Sequence, residues 1–569
     1  MEYAKRAGNR LLNGIWSSIS VICLIAVFAT SSHGQGIPYH TDHRDLYAFL
    51  NDLRVLGCID YNPSIKPLGR TQIARILQSA DSCQALNPVL KKSLDFWWKE
   101  FGKDIGDGGR DRKPRNYNDP YLSGKKLRKR YDLVYYSSPL FQVTLNPILG
   151  GELNVSSSGN IQRYQWWGGE VFGRLGKNWG FYFNVRDHLE TINWHSGENL
   201  SPNLGGVYRR SLADTGGVEY YEMRGGVTYS WKWGMIGIVK DHLQLGTTEH
   251  QEIILSKRAP SFPRLHLRVA PVKWVELNYT FGWLASGIVD SARSYITTGG
   301  AFREVYHNKF IAANTITVRP TKGLYFSLGS SVIIADDNVN IAHFIPIMFY
   351  NALDQGFNGQ NNNAGQNSQV FADLSWDVFG YAQIYGSLFI DEIRIATMFS
   401  PDKQRNIVSY LAGIRSRPIS RANLKLYAQY ARVRPAVYNH YISTTTYDHA
   451  GYNLGHFLGE NSDQIIVGLQ LQPWMRWKFR LEWEEWRKGA AHIFGANAVD
   501  VTGLDFMSYK AAQRRSYTFS TQYSVVNDVV ANIRINYVQG RTDGINGLPN
   551  VLKGNSDLLW FTFGLNIGL

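Results

Sequence analysis

Three stretches decide the fold: ANLKLYAQYAR at 422–432, QIIVGLQLQ at 464–472 and WKFRLEWE at 477–484. In the first, Ala422, Leu424, Leu426, Ala428 and Tyr430 alternate with Asn423, Lys425, Tyr427 and Gln429. In the second, Ile465, Val467, Leu469 and Leu471 alternate with Gln464, Gly468, Gln470 and Gln472. After a tight turn at Pro473 and Trp474, Trp477, Phe479, Leu481 and Trp483 alternate with Lys478, Arg480, Glu482 and Glu484. Side chains of a strand point to opposite faces with period two, so each stretch is a strand with one apolar and one polar face. A soluble sandwich alternates too, but its apolar face rarely carries so much Trp and Phe opposite a ladder of charge. An apolar exterior around a polar lumen is what a transmembrane barrel requires. The expected fold class is therefore an all-β transmembrane barrel with a small α-helical domain before it.

The same rhythm runs from residue 139 to the end. Candidate strands are 139–155, 161–176, 179–191, 216–232, 234–245, 262–271, 273–287, 307–319 and 323–335. They continue at 367–379, 381–398, 405–417, 420–433, 463–472, 475–487, 511–526, 528–540 and 557–569. That is about eighteen antiparallel strands, an even number as in single-chain bacterial barrels. Short and long connections alternate, and outer-membrane barrels keep tight turns on the periplasmic side and long loops outside. If the first strand runs outward, every long connection (roughly 192–215, 246–261, 288–306, 336–366, 434–462, 488–510 and 541–556) falls outside.

Upstream, Lys5, Arg6 and Arg10 precede a short apolar core at 21–29, and Ser32 and Gly34 supply small residues before Gln35. This predicts a signal peptide over 1–34 and export to the cell outer membrane. Its removal takes away Glu2 and those three cations, a net +2, leaving +12 of the +14 formal charge. A basic exported chain favours acidic partners, lipopolysaccharide phosphates or anionic glycans, and not nucleic acid. Residues 35–107 read as an N-terminal helical periplasmic domain, with a lumen plug or a folding aid as other roles. Leu46, Phe49, Leu53 and Leu56 have helical spacing up to Gly57; Ile73, Ile76 and Leu77, then Leu90, Leu94, Trp97 and Trp98, repeat it. Cys58 and Cys83 either pair in an oxidising periplasm or remain two buried thiols. Residues 108–138, rich in Lys and Arg, read as a basic linker, and 139–569 as the outer-membrane β-barrel.

Several motifs resemble the Wzi-like capsule assembly family, in the form common among Bacteroidetes. They are Leu46 to Gly57 with the KPLGR stretch at 66–70, KDHLQLG at 240–246 and ILSKRAPSFP at 254–263. Further along come Pro346, Met348 and Phe349; Tyr385, Asp391 and Glu392; Arg432, Arg434, Pro435, Tyr438 and His440; and Gly455, His456, Gly459, Glu460 and Asn461. The resemblance implies an eighteen-stranded barrel with a periplasmic helical part, acting as a surface lectin that helps hold capsular polysaccharide on the cell. The expected partners are surface or capsular polysaccharide, outer-membrane lipids, lipopolysaccharide and the barrel-assembly machinery.

Sugar recognition needs flat aromatic faces and polar groups that replace water; acidic sugars add a need for cations. The outer loops offer Trp194, Tyr208, Tyr306, Tyr350, Tyr438 and Tyr452, with Arg209, Arg303, Arg434 and His440 as polar candidates. The competing reading of such aromatics is an interfacial belt or loop packing. His440, Asp448, His449 and His456 share one loop without a compact metal-ligand spacing, so no metal or cofactor is expected. Asp391-Glu392 and Glu484-Glu485 are adjacent on strands and face opposite ways, which makes neither a general acid–base pair. No nucleophile motif stands out. A binding protein is thus expected before an enzyme, and a porin-like channel for anionic solutes is the alternative.

Overall fold

The computed structural model describes residues 36–105, 132–191, 203–206, 210–212, 217–336, 339–353, 366–419, 423–492, 503–507, 510–526, 529–542 and 556–568. The expected signal peptide and the linker up to residue 131 lie outside the described residues.

Eighteen antiparallel strands close into a barrel. They are β1 (Phe141–Ser156), β2 (Ile161–Leu175), β3 (Trp179–Glu190), β4 (Gly217–Trp231), β5 (Gly234–Asp241) and β6 (Phe262–Val272). Then come β7 (Val275–Val289), β8 (Tyr306–Thr321), β9 (Leu324–Ala335), β10 (Gln366–Val378), β11 (Ala382–Ile393) and β12 (Asn406–Ile419). The last six are β13 (Leu424–Val433), β14 (Ser462–Trp474), β15 (Trp477–Gly489), β16 (Lys510–Val526), β17 (Val529–Thr542) and β18 (Ser556–Ile567). Each pairs with its sequence neighbour, and β18 closes on β1 from Trp560↔Ser156 to Ile567↔Leu149. Four boundaries differ from expectation. β12 runs on to Ile419, so β13 begins at Leu424 and not at 420. β5 stops at Asp241 because Gln244 and Leu245 leave the wall to pair with Lys66 and Ile65. β11 gives way to a 3₁₀ turn at Ile395–Thr397. The linker ends early, since Val134–Ser137 form a strand against β1, Val134 facing Leu145.

Period two now has a spatial meaning. Leu149, Leu153, Phe183, Ile238, Ile316, Leu328, Ile465, Leu481, Phe563 and Leu565 lie exposed on the outer face. Trp179, Trp274, Phe379, Tyr381, Trp474 and Trp477 are exposed beside the short turns, the position of an aromatic girdle. The opposite face turns Thr144, Asn184, Arg186, Thr317, Asp373, Ser375, Gln429 and Gln464 into the interior, where they are buried.

Three helices precede the barrel: α1 (Arg44–Val55), α2 (Arg70–Ala80) and α3 (Pro88–Phe101). Gly57 adopts φ +71°, and the Gly57 and Cys58 amides donate to Arg54 and Leu53 carbonyls, closing α1 in a Schellman turn. Asn87 caps α3, accepting from the Leu90 amide at 2.8 Å, with Pro88 at the first helical position. Leu46, Leu50, Leu53, Ile73, Leu77, Leu90, Leu94, Trp98 and Phe101 form the unit's core, and Cys58 and Cys83 are disulfide-bonded.

The outer surface of this unit meets lumen-facing side chains around the barrel. Arg54 donates to Ser375 and Asp377 on β10, Asp52 pairs with Lys425 on β13, and Asp45 pairs with Lys478 on β15. Ser64 donates to Asp373 at 2.6 Å, Arg268 on β6 donates to Gln72 at 2.7 Å, and Asp60 pairs with Arg319 on β8. Partners on so many strands, all toward the short-turn ends, put the helices within the mouth of the lumen. Above them the connection between β5 and β6 folds inward. Its Leu243, Leu245, Ile253, Ile254 and Leu255 pack against Tyr385, Phe389 and Leu411 of the wall and against Val437, Tyr438, Tyr447 and Leu454 of the loop after β13. Among the described residues no helix is long and apolar enough to cross a membrane, and the strands form the wall instead.

Candidate functional site

At the long-loop end, the loop between β13 and β14 is fastened from inside. Ala436 and Tyr438 take positive φ (65° and 72°), turning the chain sharply into the lumen. The Tyr438 hydroxyl donates to the Ile253 carbonyl at 2.6 Å and its amide to Asp391 at 2.9 Å, while Tyr447 donates to the Ile254 carbonyl at 2.9 Å. Tyr452 accepts from the Gly206 amide at 3.2 Å and lies under the Arg258 guanidinium. Arg434 donates to Gln404 at 3.0 Å and to the Leu504 carbonyl at 3.3 Å. His440 Nδ1 bonds Thr445 Oγ1 at 2.7 Å, and His456 Nε2 bonds Gln464 Oε1 at 3.0 Å. Burial pushes both imidazoles down to about 4, so they are neutral. As folded, Tyr438 and Tyr452 offer no face to a sugar; with Arg434 they hold loops together.

Tyr350 sits elsewhere. Alternation with exposed Ile316 and Leu328 places Tyr279, Phe281, Asn314, Ser330 and Val332 on the outer face of β7–β9. Residues 339–353 lie over this patch, burying Tyr350 completely, stacking Phe344 on Phe281 at 4.5 Å and receiving the Asn314 amide at the Met348 carbonyl. The segment is a flap on the lipid-facing wall, with Ile341, Ile345, Ile347 and Phe349 exposed. Tyr350 anchors that flap and does not face an outer binding surface.

Arg303 and Tyr306 do remain open. A hairpin between β7 and β8 pairs Tyr295 with Arg303 and Ile296 with Phe302. Tyr295, Phe302, Arg303 and Tyr306 are exposed there, Phe302 at 63%. Arg293 and His307 both reach Asp336, at 3.6 and 2.9 Å, tying the hairpin to the end of β9. Tyr295 and Arg303, opposite each other in the register, put an aromatic face beside a guanidinium, which suits stacking on a sugar and pairing with an acidic one; Phe302 is exposed on the other face of the hairpin. Tyr295 and Phe302 were missed in the sequence, although Gly299-Gly300 between them is a hairpin signal. Trp194, Tyr208 and Arg209 lie outside the described residues.

Donor atoms of His40, Asp241 and His242 lie within 4.8 Å of one another, a spacing a metal ion would tolerate. Arg224 stands 3.8 Å from Asp241, however, and Arg186 and Lys257 pair with Asp42, which itself contacts His40. His40 Nε2 and His242 Nδ1 bond directly at 3.0 Å. This many cations make the cluster an ion-pair network between the helical unit and the wall, not a cation site. The carboxylate doublets are split as their period requires: Asp391 faces Tyr438 and Glu392 pairs with Arg405; Glu484 accepts from Gln464 and Glu485 pairs with Arg515.

No protein-family model and no curated protein sequence matches the chain. Among solved structures it is similar to Wzi of Escherichia coli, described as an outer membrane protein involved in group 1 capsule assembly and a carbohydrate-binding β-barrel. Identity is 12%, the TM-score 0.55, and the match covers 92% of this chain and 98% of that one. OccK8 (OprE) of Pseudomonas aeruginosa aligns at 8% identity and a TM-score of 0.41, over 75% of this chain and 97% of that one. OprD of the same organism aligns at 9% and 0.36, over 74% and 92%. The closed barrel and its similarity to the Wzi structure define the fold as an outer-membrane-type β-barrel with short N-terminal helices.

Proposed function

We propose that the protein resides in the outer membrane, binds capsular or other surface polysaccharide without chemical change, and helps hold it at the cell surface. The carrying observation is the occupied lumen. Helical unit, β5–β6 connection and β13–β14 loop pack against one another along the barrel axis, which suits a surface binder better than a channel for anionic solutes. The exposed hairpin with Tyr295, Phe302 and Arg303, and Tyr306 beside it, supplies groups a glycan would use. The carbohydrate-binding description of the similar Wzi barrel points the same way.

On the outward face near the long loops, Asp463 bonds Arg487 and Tyr430, and Glu485 bonds Arg515. This ionic band above the apolar belt fits lipopolysaccharide headgroups, and the barrel-assembly machinery is the expected insertase. The test compares cell-bound with shed polysaccharide in a strain lacking the gene and in its complemented parent. Polysaccharide should move into the medium in the mutant and return with the gene. Unchanged fractions refute the reading, and a steady conductance of the purified protein in planar bilayers would favour the channel.

A further inference from the structure

A cavity of about 260 Å³ lies at the other end of the barrel, between the helical unit and the β13–β18 wall near the short turns. It is smaller than the roughly 300–1,000 Å³ of pockets for drug-sized ligands, and so suits a group of about one sugar. Phe96 and Trp97 supply aromatic faces, and Gln470, Gln472, Asn532 and Asn566 supply amides.

Ion pairing around the cavity leaves two cations over. Asp42 pairs with Lys257 and Arg186, Asp45 with Lys478, Asp52 with Lys425, and Glu100 with Arg70 and Lys103. Arg44, at the start of α1, lines the same space; its amide donates to the Asp42 carbonyl at 2.7 Å, but its guanidinium makes no hydrogen bond or ion pair among the described residues. Burial and the repulsion of Arg480 and Arg534 hold its guanidinium below its usual range, against the attraction of Asp42. Arg534 does not line the cavity itself but stands two residues after Asn532 on the same lumen face of β17, close enough to repel Arg44, and its side chain likewise has no such partner among the described residues. The Oδ1 atoms of Asn532 and Asn566 are buried without a donor. Uncompensated cations beside empty acceptors and an indole face call for one kind of guest: an anion carried on a hydroxyl-rich ring.

We propose that this cavity is a second binding site, facing the short-turn side, for an acidic saccharide. Arg44 binds its carboxylate, Asn532 and Asn566 accept from its hydroxyls, and Trp97 covers its ring. The site is independent of the outer hairpin, and the experiment keeps the two apart.

The full chain carrying Arg303→Ala and Tyr306→Ala, purified in detergent and checked for heat-modifiable migration as a folded barrel, is titrated calorimetrically with digalacturonate, maltose and inorganic phosphate. Digalacturonate should saturate one site, with maltose at least tenfold weaker. Adding Arg44→Gln should weaken digalacturonate about tenfold or more, the loss of one charge-assisted hydrogen bond, and Arg534→Gln, on the barrel wall, should weaken it too. Absence of saturable binding overturns the proposal, as does binding that neither variant alters. Phosphate binding as tight as digalacturonate overturns the saccharide assignment.

Discussion

Replacing Arg54 by Met asks whether ion pairs hold the helical unit in the lumen. Arg54 lies fully buried in α1, its Nη2 donating to Ser375 at 2.7 Å and to Asp377 at 2.9 Å. Losing it leaves the Asp377 carboxylate with an uncompensated charge, which for a buried pair costs about 3–5 kcal/mol. At about 1.4 kcal/mol per factor of ten, the undocked state gains roughly 10²- to several-thousand-fold in population. Hydrogen exchange read by mass spectrometry reports this directly. Amides of α1 and α2 should exchange faster by that factor, while those of the strands keep their rates. Adding Asp377→Asn should restore most of the protection, because Arg54 Nε and Nη1 already lack partners among the described residues. Wild-type exchange of α1 in Arg54→Met refutes the reasoning. A double variant no better than the single would trace the loss to packing instead of charge.

Three further outcomes follow from the loops and the flap. His456 has a folded value of about 4 against about 6.5 unfolded, so unfolding takes up a proton below pH 6.5. Stability of its loop should fall from about pH 6.5 to pH 4, by about 3 kcal/mol in all, and the His456 ring carbon should titrate near 4 by NMR; a midpoint near 6.5 would contradict its burial. Ile347→Trp on the flap should be quenched by brominated acyl chains in reconstituted vesicles, and an unquenched Trp would mean the flap does not face lipid. Arg303→Ala with Tyr306→Ala should release surface polysaccharide while leaving folded migration unchanged, since both side chains are exposed; full retention would remove the hairpin from the binding face.

The wall was legible because its signal is local. Alternation at Ile465 to Leu471 and Trp477 to Trp483 follows from the two faces of a strand, and all eighteen strands fall on or near the expected spans. What the lumen holds left no such mark. Asp52 meets Lys425, and Ser64 meets Asp373, across hundreds of residues, and nothing near either partner announces the other. The loop aromatics illustrate the same limit. Tyr306, Tyr350 and Tyr438 read alike in sequence, yet one is open, one anchors a flap on the outer wall, and one is bonded to a carbonyl deep in the lumen. Only tertiary partners separate them. The strand at Val134–Ser137 was hidden by the run of basic residues before it, which reads as a solvated linker.

The packing inside the barrel also ties its two ends together, and that tie is measurable. Ile65 and Lys66 of the helical unit pair with Leu245 and Gln244, Leu245 bridges to Leu255, and the carbonyls of Ile253 and Ile254 accept from Tyr438 and Tyr447. Undocking the helices removes the strand partner of Leu245, and with it the support beneath the carbonyls that hold the outer loop. Arg54→Met should therefore raise exchange in residues 434–461 as well as in α1, though by a smaller factor, because that loop keeps its own bonds to Asp391 and Glu460. Tyr438→Phe should loosen the same loop while leaving α1 protected, since nothing in the helical unit hangs from it. If Arg54→Met leaves 434–461 at wild-type rates, the plug and the outer loops are independent closures. A ligand at one end would then have no mechanical route to the other.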